Sequence, residues 1–400
     1  MDDVGLELLT PGFSADPYPA FRRMREGAPV LWSPVLQRWI VTGYEECGEA
    51  LRNPDIGVGR DQYLAEVFGN LGAGRAFDYV SHRLTTYDPP EHHRLRTTVH
   101  GAFTAHRLQS LREYIATLTR DLLAAAATSD HGSADLIAGV AHPLPSLVIG
   151  ELIGLPESDR GAFDAWTSAL APLIGPRPSP EQIAAGREAA EAEWNHLSGW
   201  LAARRSAERD DVTGSLLAAE AEGLISEEEL VATLMFLFSA GHQTTRDLLG
   251  NGLHALLSHP DQWQLLVEDA ERAPNAVTEM LRYDTSVTLT IRGVRQDTVV
   301  GGVALPAGAG VVIALAGANR DPARFAEPDR FDLTRPDNHP LSFGGGAHHC
   351  LGAALARMEA EAVLGELVRS YPGTTPAYAA LDYRPTLAFR GPVALPLQLR

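Results

Sequence analysis

The run FGGGAHHCLG at residues 343–352 constrains this 400-residue chain most, because it sets one cysteine among glycines directly ahead of an apolar stretch with helical spacing. Gly344, Gly345, Gly346 and Gly352 strip side chains from the backbone around Cys350. Backbone that bare can come close to a flat ligand. The residues that follow, LGAALARMEAEAVLGELVRSY, set Leu351, Ala354, Leu355, Met358, Ala362 and Leu367 on one helical face, so Cys350 is expected at a helix N-terminus. Unpaired N–H groups there favour the thiolate over the thiol and tune its donation to a metal. A lone cysteine is ordinarily a small buried apolar residue. These surroundings instead describe a haem-thiolate loop with Cys350 as the proximal iron ligand.

Charge narrows the remaining classes. With 33 basic against 51 acidic residues, a net charge of -18 disfavours general binding to nucleic acid or to an anionic membrane. Every basic residue is an arginine. Only Cys47 and Cys350 carry sulfhydryls, and a metal-bound thiolate cannot also form a disulfide, which suits a reducing cytoplasm. Cys47, in YEECGEAL, is expected to be a small buried residue of a helix. The N-terminal MDDVGLELLTPGFSADPYP is acidic and broken by prolines, unlike a signal peptide or anchor. The longest apolar runs, VATLMFLFSAG and VVIALAGA, are too short to span a bilayer. A soluble cytoplasmic protein is expected.

No internal repeat or convincing linker interrupts the chain, so residues 1–400 are expected to form one domain. PVLWS and RWIVTG read as short strands, residues 89–283 as helices parted by Gly and Pro, and the Pro-rich stretch around 173–182 as a loop between helices. After residue 284, SVTLTIRGV and AGVVIALAG read as short β segments. The fold class is mainly α with small β-sheets. Ser226 followed by Glu227, Glu228 and Glu229 is a capping-box start, and a helix running from there almost to Pro260 would be roughly 50 Å long. Within it lies AGHQTT, residues 240–245. The small Ala240 and Gly241 would let a bound dioxygen approach, and the Thr244 hydroxyl would organise water for proton delivery.

Taken in order, DPPEH, AGHQTT, EMLR, PDRF, FGGGAHHCLG and LAFRGP make the chain resemble the cytochrome P450 superfamily over essentially its whole length. Phe343, Gly344, Gly346, His348, Cys350, Leu351 and Gly352 stand where that family's signature places them. The resemblance implies a triangular single unit crossed by a long central helix, with haem b as cofactor. It assigns haem contacts to His92, Arg96, Ala240, Gly241, Arg292, Phe343, Gly346, His348 and Gly352. Among these, His92, Arg96, Arg292 and His348 would grip the propionates, with His93 and Arg94 beside them. Glu279 and Arg282 match the family's E-x-x-R element, which Arg330 would complete as structural support for the cysteine loop. Thr244 and the residue before it would act in oxygen activation. Family members usually carry an acid at that preceding position, whereas this chain has Gln243, whose amide cannot exchange a proton as a carboxylic acid does. Gln243 would then orient water, His242 would help if it faces the pocket, or the substrate would supply a hydroxyl.

The implied activity is that of a soluble bacterial-type monooxygenase. It would insert one atom of O2, by hydroxylation or epoxidation, into an apolar or amphipathic small molecule such as a polyketide or macrolide. A peptide, terpenoid or fatty acid would also suit an apolar pocket. No flavin- or nicotinamide-binding domain is evident, so NAD(P)H would donate indirectly, through a ferredoxin and ferredoxin reductase, with arginines on the proximal face receiving the ferredoxin. Two other readings stay open: peroxide-driven or bond-forming oxidation (C–C or C–O coupling), and a non-catalytic haem protein that binds a ligand or recruits a partner. The resemblance puts substrate contacts in 68–79 and 163–174 and at Ser239, Ala240, His242, Val287, Leu289 and Leu387. Apolar residues of this kind also build cores.

Overall fold

Alternating apolar residues in RWIV, TIRGV and GVVI, rich in β-branched side chains, build the largest sheet. In the computed structural model, which describes residues 4–128, 133–174, 178–206 and 210–400, this sheet has five strands. Their order is Val30–Ser33, Arg38–Val41, Gly310–Ile313, Thr290–Val294 and Ile56–Gly57. Only Arg38–Val41 and Gly310–Ile313 run parallel. Successive side chains point to opposite faces. Val41, Val311 and Ile313 therefore join Cys47 in one apolar cluster, while Ile40 and Val312 join Phe21 and Met24 in another. Cys47 is the buried helical residue expected of it, in the helix Tyr44–Arg52, with its S–H donating to the Val41 carbonyl at 3.2 Å.

The described chain separates into two compact units. The first combines residues 1–57, 115–145 and 243–400, and it holds every strand among the described residues. Besides the large sheet it has a three-stranded sheet of Ser133–Asp135, Pro396–Gln398 and Thr375–Pro376, and a hairpin of Thr298–Val300 with Val303–Leu305. The hairpin turns on Gly301 and Gly302, whose φ of 55° and 77° suits glycine. AGVVIALAG is only half a strand: after Gly310–Ile313 the chain turns into the short helix Leu315–Ala318.

The second unit, residues 58–114 and 146–242, is helical. Its helices Arg75–His82 and Glu157–Leu170 both pack on Pro180–Arg204. The Pro-rich loop expected around 173–182 is shorter than its composition suggests. Residues 175–177 lie outside the described residues, a 3-10 turn covers Ala171–Ile174, and the next helix already starts at Pro180. Ser179 and Gln182 form a capping box there, and proline is tolerated at the first helical position because its missing N–H would have no partner.

The central helix is Glu227–Leu257. Its start is the box read from the sequence: the Ser226 N–H donates to Glu229 Oε2 at 3.0 Å, and the Glu229 N–H donates to Ser226 Oγ at 3.1 Å. Arg94 adds an ion pair to Glu229 and donates to the Leu224 carbonyl at 2.6 Å, so it braces this helix start. Among the described residues, no single helix is long and apolar enough to cross a membrane.

Candidate functional site

The cysteine loop is built from the inside of the first unit outward. Glu279 and Arg282, one turn apart on the helix Ala273–Tyr283, are wholly buried and meet through two parallel hydrogen bonds, Nε to Oε2 at 2.8 Å and Nη2 to Oε1 at 2.7 Å. Arg282 also donates to the carbonyls of Asn319, Pro328 and Arg330. Asn319 accepts from the Leu341 N–H at 2.7 Å and donates to Ser342 Oγ at 2.8 Å, and Ser342 donates to the Leu281 carbonyl. The next residue is Phe343, whose carbonyl accepts from the Cys350 N–H at 2.9 Å. A continuous polar network thus fastens the loop, and losing one partner of a buried pair like Glu279–Arg282 costs about 3–5 kcal/mol.

One expected member is corrected. The Arg330 side chain does not complete the Glu279–Arg282 pair: it lies exposed at 3.4 Å from Glu327, and only its backbone carbonyl joins the network. Arg335 takes the place, with Nε 3.4 Å from Glu279 Oε1, and Asn338 and the Asp332 N–H complete the carboxylate's shell at 2.8 Å each. An arginine that reaches back from a loop leaves no spacing signal in the sequence.

Within the loop, Gly346 has φ of 62°, and a Cβ there would overlap the Leu51 carbonyl, so the turn needs glycine. Gly344 shares the left-handed conformation at 69°, while a Cβ on Gly352 would meet nothing within 4 Å. Gly352 caps the helix Ala353–Ser370. Its buried face carries Leu355, Met358 and Leu367 as expected, but Ala354 is exposed, and Val363, Leu364 and Val368 extend the face instead. Phe343 lies under the Arg357 guanidinium at 5.3 Å. Cys350 is exposed, whereas burial pushes the Cys47 thiol up and keeps it protonated. Only Cys350 can present a thiolate. His348 ends the 3-10 turn Gly346–His348, and Arg292, half-buried on its strand, donates to Thr290 Oγ1 at 2.6 Å. An outward sulfur, open space at Gly352 and cationic side chains for carboxylates fit a haem on this loop.

On the central helix Gln243 and Thr244 are half-buried in the first unit. One turn past Gln243 stands Asp247, fully buried, with Oδ1 accepting from Arg246 Nε at 3.2 Å and from Arg384. In the second unit, the helix Glu91–Ala102 carries His92, buried at 2 % exposure, and Arg96, half-buried. Ala240 and Gly241 are half-buried, with Ile149 3.5 Å from a Cβ on Gly241. His242 is buried, with Nδ1 3.2 Å from Asp164 Oδ1. Ser239 sits within 3.1 Å of the Tyr79 hydroxyl and donates to the Phe236 carbonyl.

The expected apolar contacts divide. Phe163 anchors an aromatic cluster with Trp166 and Phe238, at ring separations of 5.3 and 5.5 Å. Phe68 and Ile174 are exposed, at 48 % and 36 %. Leu289 is a core residue beside Phe21 and Ile40, Leu387 packs against the same cluster, and Val287 is held by a β-bridge to Phe389.

Known proteins carry the same pattern. The family model described as Cytochrome P450 matches residues 198–377. Cytochrome P450 107B1 of Saccharopolyspora erythraea is 38% identical over 96% of this chain and 96% of its own length. The 6-deoxyerythronolide B hydroxylase of the same organism is 34% identical over 98% of each. Among solved structures, CalO2 superposes with a TM-score of 0.92 at 32% identity, covering 97% of both chains. With its cysteine loop, its buried E-x-x-R pair and these full-length relatives, the chain belongs to the cytochrome P450 family of monooxygenases, and with that membership come a haem iron, a cysteine thiolate ligand and dioxygen.

Proposed function

We propose that this monooxygenase hydroxylates or epoxidises an apolar or amphipathic secondary-metabolite scaffold of polyketide or macrolide type, with electrons delivered from NAD(P)H through a ferredoxin and its reductase. The observation that carries the site assignment is the exposed sulfur of Cys350, in a glycine-lined loop fastened to the buried Glu279–Arg282 pair. The haem, when bound, supplies the reduction of dioxygen and the transfer of one oxygen atom to the substrate.

The chain's own residues supply everything else. Cys350 binds the iron as thiolate and donates electron density to it. His92, Arg96, Arg292 and His348 neutralise and orient the propionate carboxylates. Phe343, Gly346 and Gly352 shape the loop on the cysteine side, and Ala240 and Gly241 keep the central helix clear of side-chain bulk. The Thr244 hydroxyl holds a proton and passes it on, while Gln243 fixes a water with its amide and cannot itself be the acid. The need to keep Cys350 reduced suits a cytoplasmic setting. The likeness to 6-deoxyerythronolide B hydroxylase supports a bulky apolar substrate.

Gln243 gives a second reading some weight, because an enzyme fed with hydrogen peroxide receives its protons together with its oxidant. Reconstitution separates the two. Product formed with ferredoxin, ferredoxin reductase, NAD(P)H and O2 supports the proposal. Product formed only with peroxide would replace it with the second reading, and a haem spectrum without turnover under either condition would leave a ligand-binding protein.

A further inference from the structure

Glu193 is the least explained buried group in the second unit. It lies on the helix Pro180–Arg204 with no solvent exposure, and neither carboxyl oxygen has a hydrogen-bond partner. An unpaired carboxyl in such a place is costly and is driven to its neutral form. Burial accordingly raises its pKa well above the usual carboxylate range.

Its neighbours are set with some care. The helix Arg75–His82 is fastened to the residues flanking Glu193: the Arg75 N–H donates to Glu191 at 3.1 Å, and the Arg75 guanidinium lies 4.9 Å over the Trp194 ring. One turn along that helix is Tyr79, close enough for the charge of Glu193 to act on its phenol. Yet the Tyr79 hydroxyl turns to Ser239 at 3.1 Å and leaves the carboxyl alone. Arg83, a cation near Tyr79, is committed elsewhere, donating to Thr86 Oγ1 at 3.1 Å and Tyr63 at 2.7 Å. Tyr79 thus links the two other polar groups, hydrogen-bonded to Ser239 and near Glu193, and the buried Trp194 follows Glu193 on its helix. On the central helix, Ser239 precedes Gln243 by four residues, the spacing of side chains on one helical face.

We propose that Glu193, with the Tyr79 and Ser239 hydroxyls, is the recognition site for a basic amine carried by the substrate. This rests on the reading of the chain as a monooxygenase of bulky apolar molecules and narrows it to lipophilic amines. Near neutral pH a lipophilic amine is mostly ammonium in water; it enters as the free base after giving one proton to solvent, takes the proton from the Glu193 carboxyl, and remains as an ammonium paired with the carboxylate. Net binding therefore releases one proton to solvent. The ion pair gives the buried carboxyl the charge-assisted bonds it lacks, while the aromatic ring of Tyr79 and the two hydroxyl oxygens offer the ammonium further contacts.

Calorimetric binding to the haem-loaded protein tests this with N,N-dimethyldodecylamine and its neutral analogue N,N-dimethyldodecanamide. The wild type is expected to bind the amine more tightly, and Glu193→Gln is expected to weaken the amine about tenfold while holding the amide within about twofold, the size of one charge-assisted contact. Equal changes for both ligands, or none, would overturn the proposal. Should the variant fold poorly, infrared difference spectra of the wild type decide: addition of the amine should convert a protonated carboxyl band into a carboxylate band, and an unchanged carboxyl band would contradict the site. The carbon monoxide spectrum is recorded for each sample. A thiolate band without amine selectivity removes this inference alone, whereas absence of the thiolate band removes the monooxygenase reading beneath it.

Discussion

Gln243 sets an amide where the family usually places an acid, one residue before the Thr244 hydroxyl. On the proposed relay, water held by that amide would pass the proton, so Gln243→Glu is expected to lower the fraction of electrons lost to hydrogen peroxide several-fold and to change the solvent isotope effect. Unchanged coupling and isotope effect would put position 243 outside the relay. Glu193 carries a second expectation. Its folded-state pKa is raised by burial, so its contribution to stability is complete below the unfolded value of about 4.3 and is lost as pH rises through the folded value. The wild type should therefore lose stability across that window relative to Glu193→Gln, read as urea midpoints against pH. Parallel curves would mean that Glu193 is satisfied in the folded protein. Neither Glu193 nor the Arg335 substitution for Arg330 was legible in the sequence. A glutamate among the alanines of AAEAEWNHL looks like a solvated face, and tertiary packing of other helices on Pro180–Arg204 buries it.

Among the elements, the central helix was readable because its start is local. Ser226 and Glu229 satisfy each other's backbone within three residues, and no distant partner is needed. The strand Ser133–Asp135 was not, because it exists only by pairing with Pro396–Gln398 near the other end of the chain. The loop that supports the cysteine lies between these cases. Its glutamate and first arginine share a helix and announce themselves by spacing, but the second arginine comes from irregular chain. Arg335→Ala removes a side chain that is almost fully buried against Glu279, and it should destabilise the protein by about 2–4 kcal/mol. Arg330→Ala removes an exposed side chain and should stay within about 0.5 kcal/mol. Chemical denaturation of both variants checks the contrast, and equal losses would restore Arg330 to the pair.

For the molecule as a whole, the family and the mainly helical fold were legible because they rest on contiguous motifs in a fixed order. Substrate contacts were not legible: Leu289, Leu387 and Val287 pack with the core clusters of the first unit, and an apolar side chain looks the same in sequence whether it meets a ligand or a neighbour. The assignment of Cys350 governs everything else, because haem position, oxygen chemistry and the choice of electron donor depend on it. The most direct test is the carbon monoxide difference spectrum of the reduced, haem-loaded protein beside that of Cys350→Ser. A strongly red-shifted Soret band in the wild type that is lost in the variant is the expected result. A native, fully loaded wild type without that band, or a variant that keeps it, would contradict Cys350 as the ligand.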